Sequence, residues 1–129
     1  MGLLPSEIGL RHPHGKGYIN PAYVATQFGF EVQIDELAEP DGAAIHRTGA
    51  IYGIEDQTLT QKPARPPGRW NAYEIRVKGQ RYTVKLNGKL VADFTNSDPA
   101  RGQTSVPHFV GLQCHAGRML FRNIRMKIL

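Results

Sequence analysis

Arg69–Thr95, RWNAYEIRVKGQRYTVKLNGKLVADFT, decides the fold. Tyr73, Ile75 and Val77 alternate with polar neighbours, and Tyr82, Val84 and Leu86 repeat the pattern. That is the period of a strand with one buried face, and a helix does not space apolar residues so. Asn87-Gly88 stands where a two-residue hairpin needs positive φ at both central positions, which Asn and Gly tolerate best. Lys78-Gly79-Gln80 is a looser turn of the same kind, and Leu90, Ala92 and Phe94 supply a third apolar face. The stretch is predicted to be a three-stranded antiparallel meander.

The surrounding chain fits the same class. Its 129 residues, 40% hydrophobic and 21% charged, suit one globular domain over 1–129 with a core of its own. The single cysteine, Cys114, excludes an internal disulfide and a cysteine-rich zinc site. There is no run of eighteen apolar residues, and Met1–Leu10 lacks the basic start and apolar stretch of a secretion signal, so a soluble chain without a membrane partner is expected. The formal charge is +5, yet Arg76, Lys78, Arg81, Lys85, Lys89, Arg122, Arg125 and Lys127 are dispersed and mixed with acids. That pattern argues against nucleic acid as a partner.

Working outward, residues 1–23 are rich in Gly, Pro and His and read as largely irregular. Gln27–Asp35 reads as a strand with Phe28, Phe30, Val32 and Ile34 on one face and Gly29, Glu31, Gln33 and Asp35 on the other. Pro40-Asp41-Gly42 marks a turn, and Gly49–Gly53, GAIYG, is a short strand whose glycines allow close backbone approach. Gln61–Gly68 holds three prolines and is no central strand. Phe109–His115 and Arg118–Leu129 read as strands, the latter with a bulge near Arg122-Asn123 where the apolar parity changes. An all-β, two-sheet antiparallel sandwich without ordinary helices follows.

Two of these strands offer polar faces. Glu31 and Gln33 share one, and Gln113 and His115 share another opposite Val110, Leu112 and Cys114; with Tyr52 they converge if their strands lie in one sheet. Carboxylate and amide groups pair with sugar hydroxyls, and an aromatic ring stacks on a sugar's apolar face. The plainer reading is a set of solvated outer positions on a one-sided sheet. His12 and His14 have a spacing that chelates metals, but a Pro/Gly-rich loop of this kind is more often simply exposed, and no metal ligand is assigned. Trp70 reads first as a packing residue at a strand start, with a ligand platform as the alternative. Phosphate-loop, dinucleotide-binding, nucleophile-elbow and zinc-protease motifs are absent.

GFEVQIDE (Gly29–Glu36), HRTGAIYG (His46–Gly53), PPGRWNAYEIRVKGQRYTVKLNGKLV (Pro66–Val91) and VGLQCHAGRMLFRNIRMKIL (Val110–Leu129) resemble the 3-keto-disaccharide hydrolase domain family. The resemblance implies a concanavalin-like jelly roll with a carbohydrate site on its concave face. It also implies cleavage of glycosides already oxidised at the sugar's 3-position, in bacterial glycoside breakdown, with a periplasmic or secreted setting. A 3-ketone acidifies the C2 proton, permitting loss of the C1 substituent and then addition of water, a route that needs a base, an acid and an oxyanion stabiliser. By residue type, His115 or Glu31 would serve as base or acid. Arg11 or a bound divalent cation would stabilise the enolate, with no cofactor firmly indicated, and Gln33, Tyr52, Gln113 and Trp70 would bind substrate.

Compared with that family, the chain carries only seven residues before Ile8, so an N-terminally shortened sandwich is expected. Open strand edges and exposed apolar residues then favour self-association, with a homodimer as the simplest closed form unless the segment before Tyr23 covers the edge. A non-catalytic carbohydrate-binding module, or a shortened oligomerising sandwich without activity, are the alternatives to the enzyme.

Overall fold

The computed structural model describes residues 2–5, 29–60, 63–102, 108–114 and 117–129. It is all-β: among the described residues the only helical feature is a single 3-10 turn, Ala44–His46. The meander forms as its alternation requires, with β4 (Tyr73–Lys78), β5 (Arg81–Leu86) and β6 (Lys89–Thr95) paired antiparallel. Asn87 (φ 51°) and Gly88 (φ 80°) make the left-handed turn between β5 and β6. The Asn87 side chain adds to it, accepting from the Ala72 N–H at 3.0 Å and donating to Pro63 O at 2.9 Å and to Asn71 Oδ1 at 2.8 Å.

One face differs from the sequence expectation. Val84 opposes Ala92 while Lys85 opposes Leu90, so Val91 is an extra residue in β6. A bulge of this kind reverses the alternation at one point. Val91 and Ala92 are both buried in consequence, and Leu90, expected inside, is exposed. A strand missed in the sequence, β3 (Thr58–Leu59), pairs with Ala92 and Asp93 of β6, completing a sheet of order β3-β6-β5-β4.

The second sheet has the order β2-β1-β7, formed by β2 (Phe30–Glu31), β1 (Gly2–Pro5) and β7 (His108–Gly111). The presence of β1 corrects the expectation of an irregular start over those residues: Gly2–Pro5 pairs antiparallel with both neighbours. The two sheets meet where Phe30 packs its ring 4.6 Å from that of Tyr82 and 5.4 Å from that of Phe94. Val84, Leu86, Val91, Ile51 and Val32 extend this core.

Two expected strands are shorter than the pattern foretold, Gly49–Gly53 is reduced to a single bridge at Ile51, and Arg118–Leu129 is not a strand. Among the described residues of Gln27–Asp35 only Phe30–Glu31 is strand, Val32 adds a bridge to Ile51, and Ile34 is exposed. Among the described residues of Phe109–His115 the ladder keeps Phe109–Gly111, the end of β7, and Val110, Leu112 and Cys114 are exposed, not buried on an inner face. Residues 117–129 form no strand; Asn123 has φ 55° at the expected irregularity, and Ile124, Met126 and Ile128 are 65%, 83% and 94% exposed. Alternation marks apolar residues but does not supply a neighbouring backbone to pair with, and a ladder needs both.

Candidate functional site

Glu31 sits at the end of β2, and its segment continues into a short antiparallel pairing with residues 48–52. The Tyr52 N–H donates to Glu31 O at 2.8 Å and the Gln33 N–H to Ala50 O at 2.9 Å, while the Gly49 N–H donates to Gln33 O at 3.0 Å. Gly49 and Ala50 thus oppose Gln33 together, a bulge that requires the left-handed φ of 94° seen at Gly49. Gly49 also meets the core closely: a Cβ there would lie 3.0 Å from Val91 Cγ2.

Register then fixes which side chains share a face. Val32 opposes Ile51 on the core side, so Glu31 and Tyr52, one step along each strand, oppose one another on the other side. Gln33, two residues on, shares their face. Across the sheet, Gly2 opposes both Glu31 and Gly111, so two consecutive neighbours in the Glu31 row carry no side chain. Glu31 is nonetheless only 7% exposed, and Gln33 and Tyr52 are half-buried. Plain alternation on a one-sided sheet would instead have left this face in water.

The backbone under the face is held from both sides. The Gln57 side chain, itself buried, accepts from the Ile51 N–H at 2.8 Å and donates to Ile51 O at 2.6 Å and Ile54 O at 2.7 Å. Tyr73 donates its hydroxyl to Gln33 O at 2.8 Å, and burial pushes that phenol's pKa well above its ordinary value. The Thr48 hydroxyl accepts from the Asp35 N–H at 2.9 Å. Next to the face, the His46 ring lies 4.9 Å from the Tyr52 ring, and its Nδ1 lies 2.8 Å from Asp41 Oδ1. Hydrogen bonding from the Ala43 N–H, and then from His46, keeps the Asp41 carboxyl below the usual range.

Of the residues expected at the site, Glu31, Gln33 and Tyr52 come together. Gln113 lies two positions beyond Gly111, past the end of β7, and is half-buried. Arg11 and His115 lie outside the described residues, as do His12 and His14. Trp70 is 41% exposed, and the Arg122 guanidinium lies over its ring at 3.9 Å. That cation occupies one ring face, as a packing residue's partner would. The Asp41–His46 pair escaped the sequence reading, although Asp41 in the PDG turn and the His46 that opens HRTGAIYG were both in view; only the folded loop joins them. Among the described residues no group of three His, Cys, Asp or Glu side chains is arranged to hold a metal ion.

Comparison with known proteins gives this face a context. No curated protein and no solved structure matches the chain. A family model for the 3-keto-alpha-glucoside-1,2-lyase-like domain matches residues 6–127, a span that takes in Glu31, Gln33, Tyr52 and every strand of both sheets except β1. The chain therefore belongs to the family of 3-keto-alpha-glucoside-1,2-lyase-like domains.

Proposed function

We propose that this domain acts on glycosides oxidised at the 3-position of the sugar, cleaving the glycosidic bond by elimination and then hydration, on the face that carries Glu31, Gln33 and Tyr52. The reading rests above all on the row in which Glu31 opposes both Tyr52 and the side-chain-free Gly2, which sets a buried carboxylate beside an aromatic ring. In the proposed reaction a base removes the C2 proton acidified by the 3-ketone, the enolate expels the C1 substituent, and water adds to the resulting enone. Glu31 takes the base role, with His115 as its partner in proton transfer and Arg11 as the cation facing the developing enolate oxygen. Gln33 and Gln113 orient hydroxyls, and Tyr52 stacks on the ring.

The test compares a 3-keto-α-glucoside with the same glucoside unoxidised. Turnover of the keto sugar alone, lost in Glu31→Gln, is the expected result. Binding without turnover would replace the enzyme by a carbohydrate-binding module, and neither binding nor turnover would remove the glycoside reading altogether.

For assembly we propose a homodimer. Val110 in β7 and Leu112 just beyond it are exposed, and Ile124, Met126 and Ile128 alternate along a segment that pairs with no strand among the described residues. An alternating apolar row without a backbone partner is a strand waiting for a sheet, and a second copy supplies the same pair of surfaces symmetrically.

A further inference from the structure

Residues 35–46 form a loop tied at both ends by carboxylates. Asp35 Oδ1 accepts from the N–H groups of Leu37 at 2.9 Å and Ala38 at 3.1 Å, and Asp35 Oδ2 from that of Glu39 at 2.9 Å. Asp41 Oδ1 accepts from the Ala43 N–H at 2.9 Å and from His46 Nδ1 at 2.8 Å. The Gly53 N–H donates to Ile45 O at 3.2 Å, which fastens the end of the loop to the segment bearing Tyr52. A carboxylate oxygen can only accept, so Nδ1 carries the proton and the imidazole is fixed in orientation. The ring so fixed is half-buried and packs against Tyr52 at an interplanar angle of 39°.

We propose that Asp41 and His46 are positioning residues of the glycoside face: the carboxylate aims the imidazole, and the imidazole backs the Tyr52 ring on which the sugar stacks. The inference rests on the glycoside reading of that face and adds the device that sets one of its walls. A free tyrosine side chain loses rotamer freedom when a sugar lands on it, whereas one already packed against a fixed ring has lost that freedom during folding. The benefit therefore appears as ground-state affinity and is shared equally by the transition state. The loop's two carboxylate ties have the same effect on the backbone, holding His46 in place without the ligand.

The test uses a chromogenic 3-keto-α-glucoside and the variants His46→Ala, His46→Phe, Asp41→Asn and Glu31→Gln, each first checked for an unchanged melting transition. Loss of uniform binding raises KM and spares kcat, so His46→Ala should raise KM roughly five- to tenfold with kcat within about twofold of the parent. Asp41→Asn should move KM the same way by less, and His46→Phe, which keeps a ring against Tyr52, should restore KM to within about twofold. A parental KM in His46→Ala, a loss confined to kcat, or no rescue by His46→Phe would each overturn the positioning role. If the parent protein turns over nothing, or Glu31→Gln turns over normally, the catalytic reading fails by itself. The Tyr52 ring resonances, followed by NMR as the same sugar is added, then decide the inference. Shifts in the parent that weaken in His46→Ala uphold it, and no shift at Tyr52 sinks it.

Discussion

Gln57 shows how much one side chain carries. Its amide is buried and bonds both backbone groups of Ile51 and the carbonyl of Ile54, so removing it strands the Ile51 N–H and the Ile54 carbonyl, while the Ile51 carbonyl still accepts from the Ile54 N–H at 3.3 Å. Each such group costs about 1–3 kcal/mol when stranded, and water entering the gap recovers part of it. Gln57→Ala is therefore expected to destabilise the fold by about 2–4 kcal/mol in urea denaturation; a loss within experimental error would show that Ile51 is held by other means. Gly102 gives a second case. It has φ 58°, and a Cβ there would lie 2.7 Å from Phe30 Cε2 and 2.8 Å from the Tyr82 hydroxyl, where β2 meets the larger sheet. Gly102→Ala should cost about 1–3 kcal/mol by the same measurement, through backbone strain and a displaced ring.

At the scale of elements, the meander was legible in the sequence because its two signals are local. Alternation and turn chemistry both act between neighbours in the chain, and β4, β5, the Asn87-Gly88 turn and β6 appear where they pointed. What the alternation hid was the extra residue Val91, since a bulge is set by the partner strand's register and not by the strand's own residues. Gly2–Pro5 escaped for a related reason: GLLP has no alternation to read, and it is strand because β2 and β7 offer it backbone on both sides. The face with Glu31, Gln33 and Tyr52 was half legible. Parity joined Glu31 to Gln33, but Tyr52 reaches them only through the pairing of residues 31–35 with 48–52.

The loop of residues 35–46 should respond to acid. Asp41 has its folded pKa lowered, so the stabilisation it gives is complete above the ordinary carboxylate value and is lost as pH falls through the lowered one. As pH falls through that lowered value the Ala43 amide should lose protection relative to its intrinsic exchange rate and the His46 ring should leave Tyr52, both followed by NMR. Protection that persists unchanged well below that value would mean the turn holds without the carboxylate.

For the molecule as a whole, the exposed apolar rows make association testable. Light scattering at micromolar concentration should return twice the monomer mass of 14.4 kDa, and Met126→Ser with Ile128→Ser should shift the distribution toward monomer. A monomer in the parent protein would mean that this surface is tolerated or covered within one chain. The central proposal is that a sugar oxidised at its 3-position lies against Glu31, Gln33 and Tyr52. The most direct measurement is a crystal structure of Glu31→Gln soaked with a 3-keto-α-glucoside. The predicted result is the sugar ring stacked on Tyr52, with its C2 facing residue 31 and a hydroxyl within hydrogen-bond distance of the Gln33 amide. A sugar bound elsewhere on the protein, with that face empty, would contradict the account.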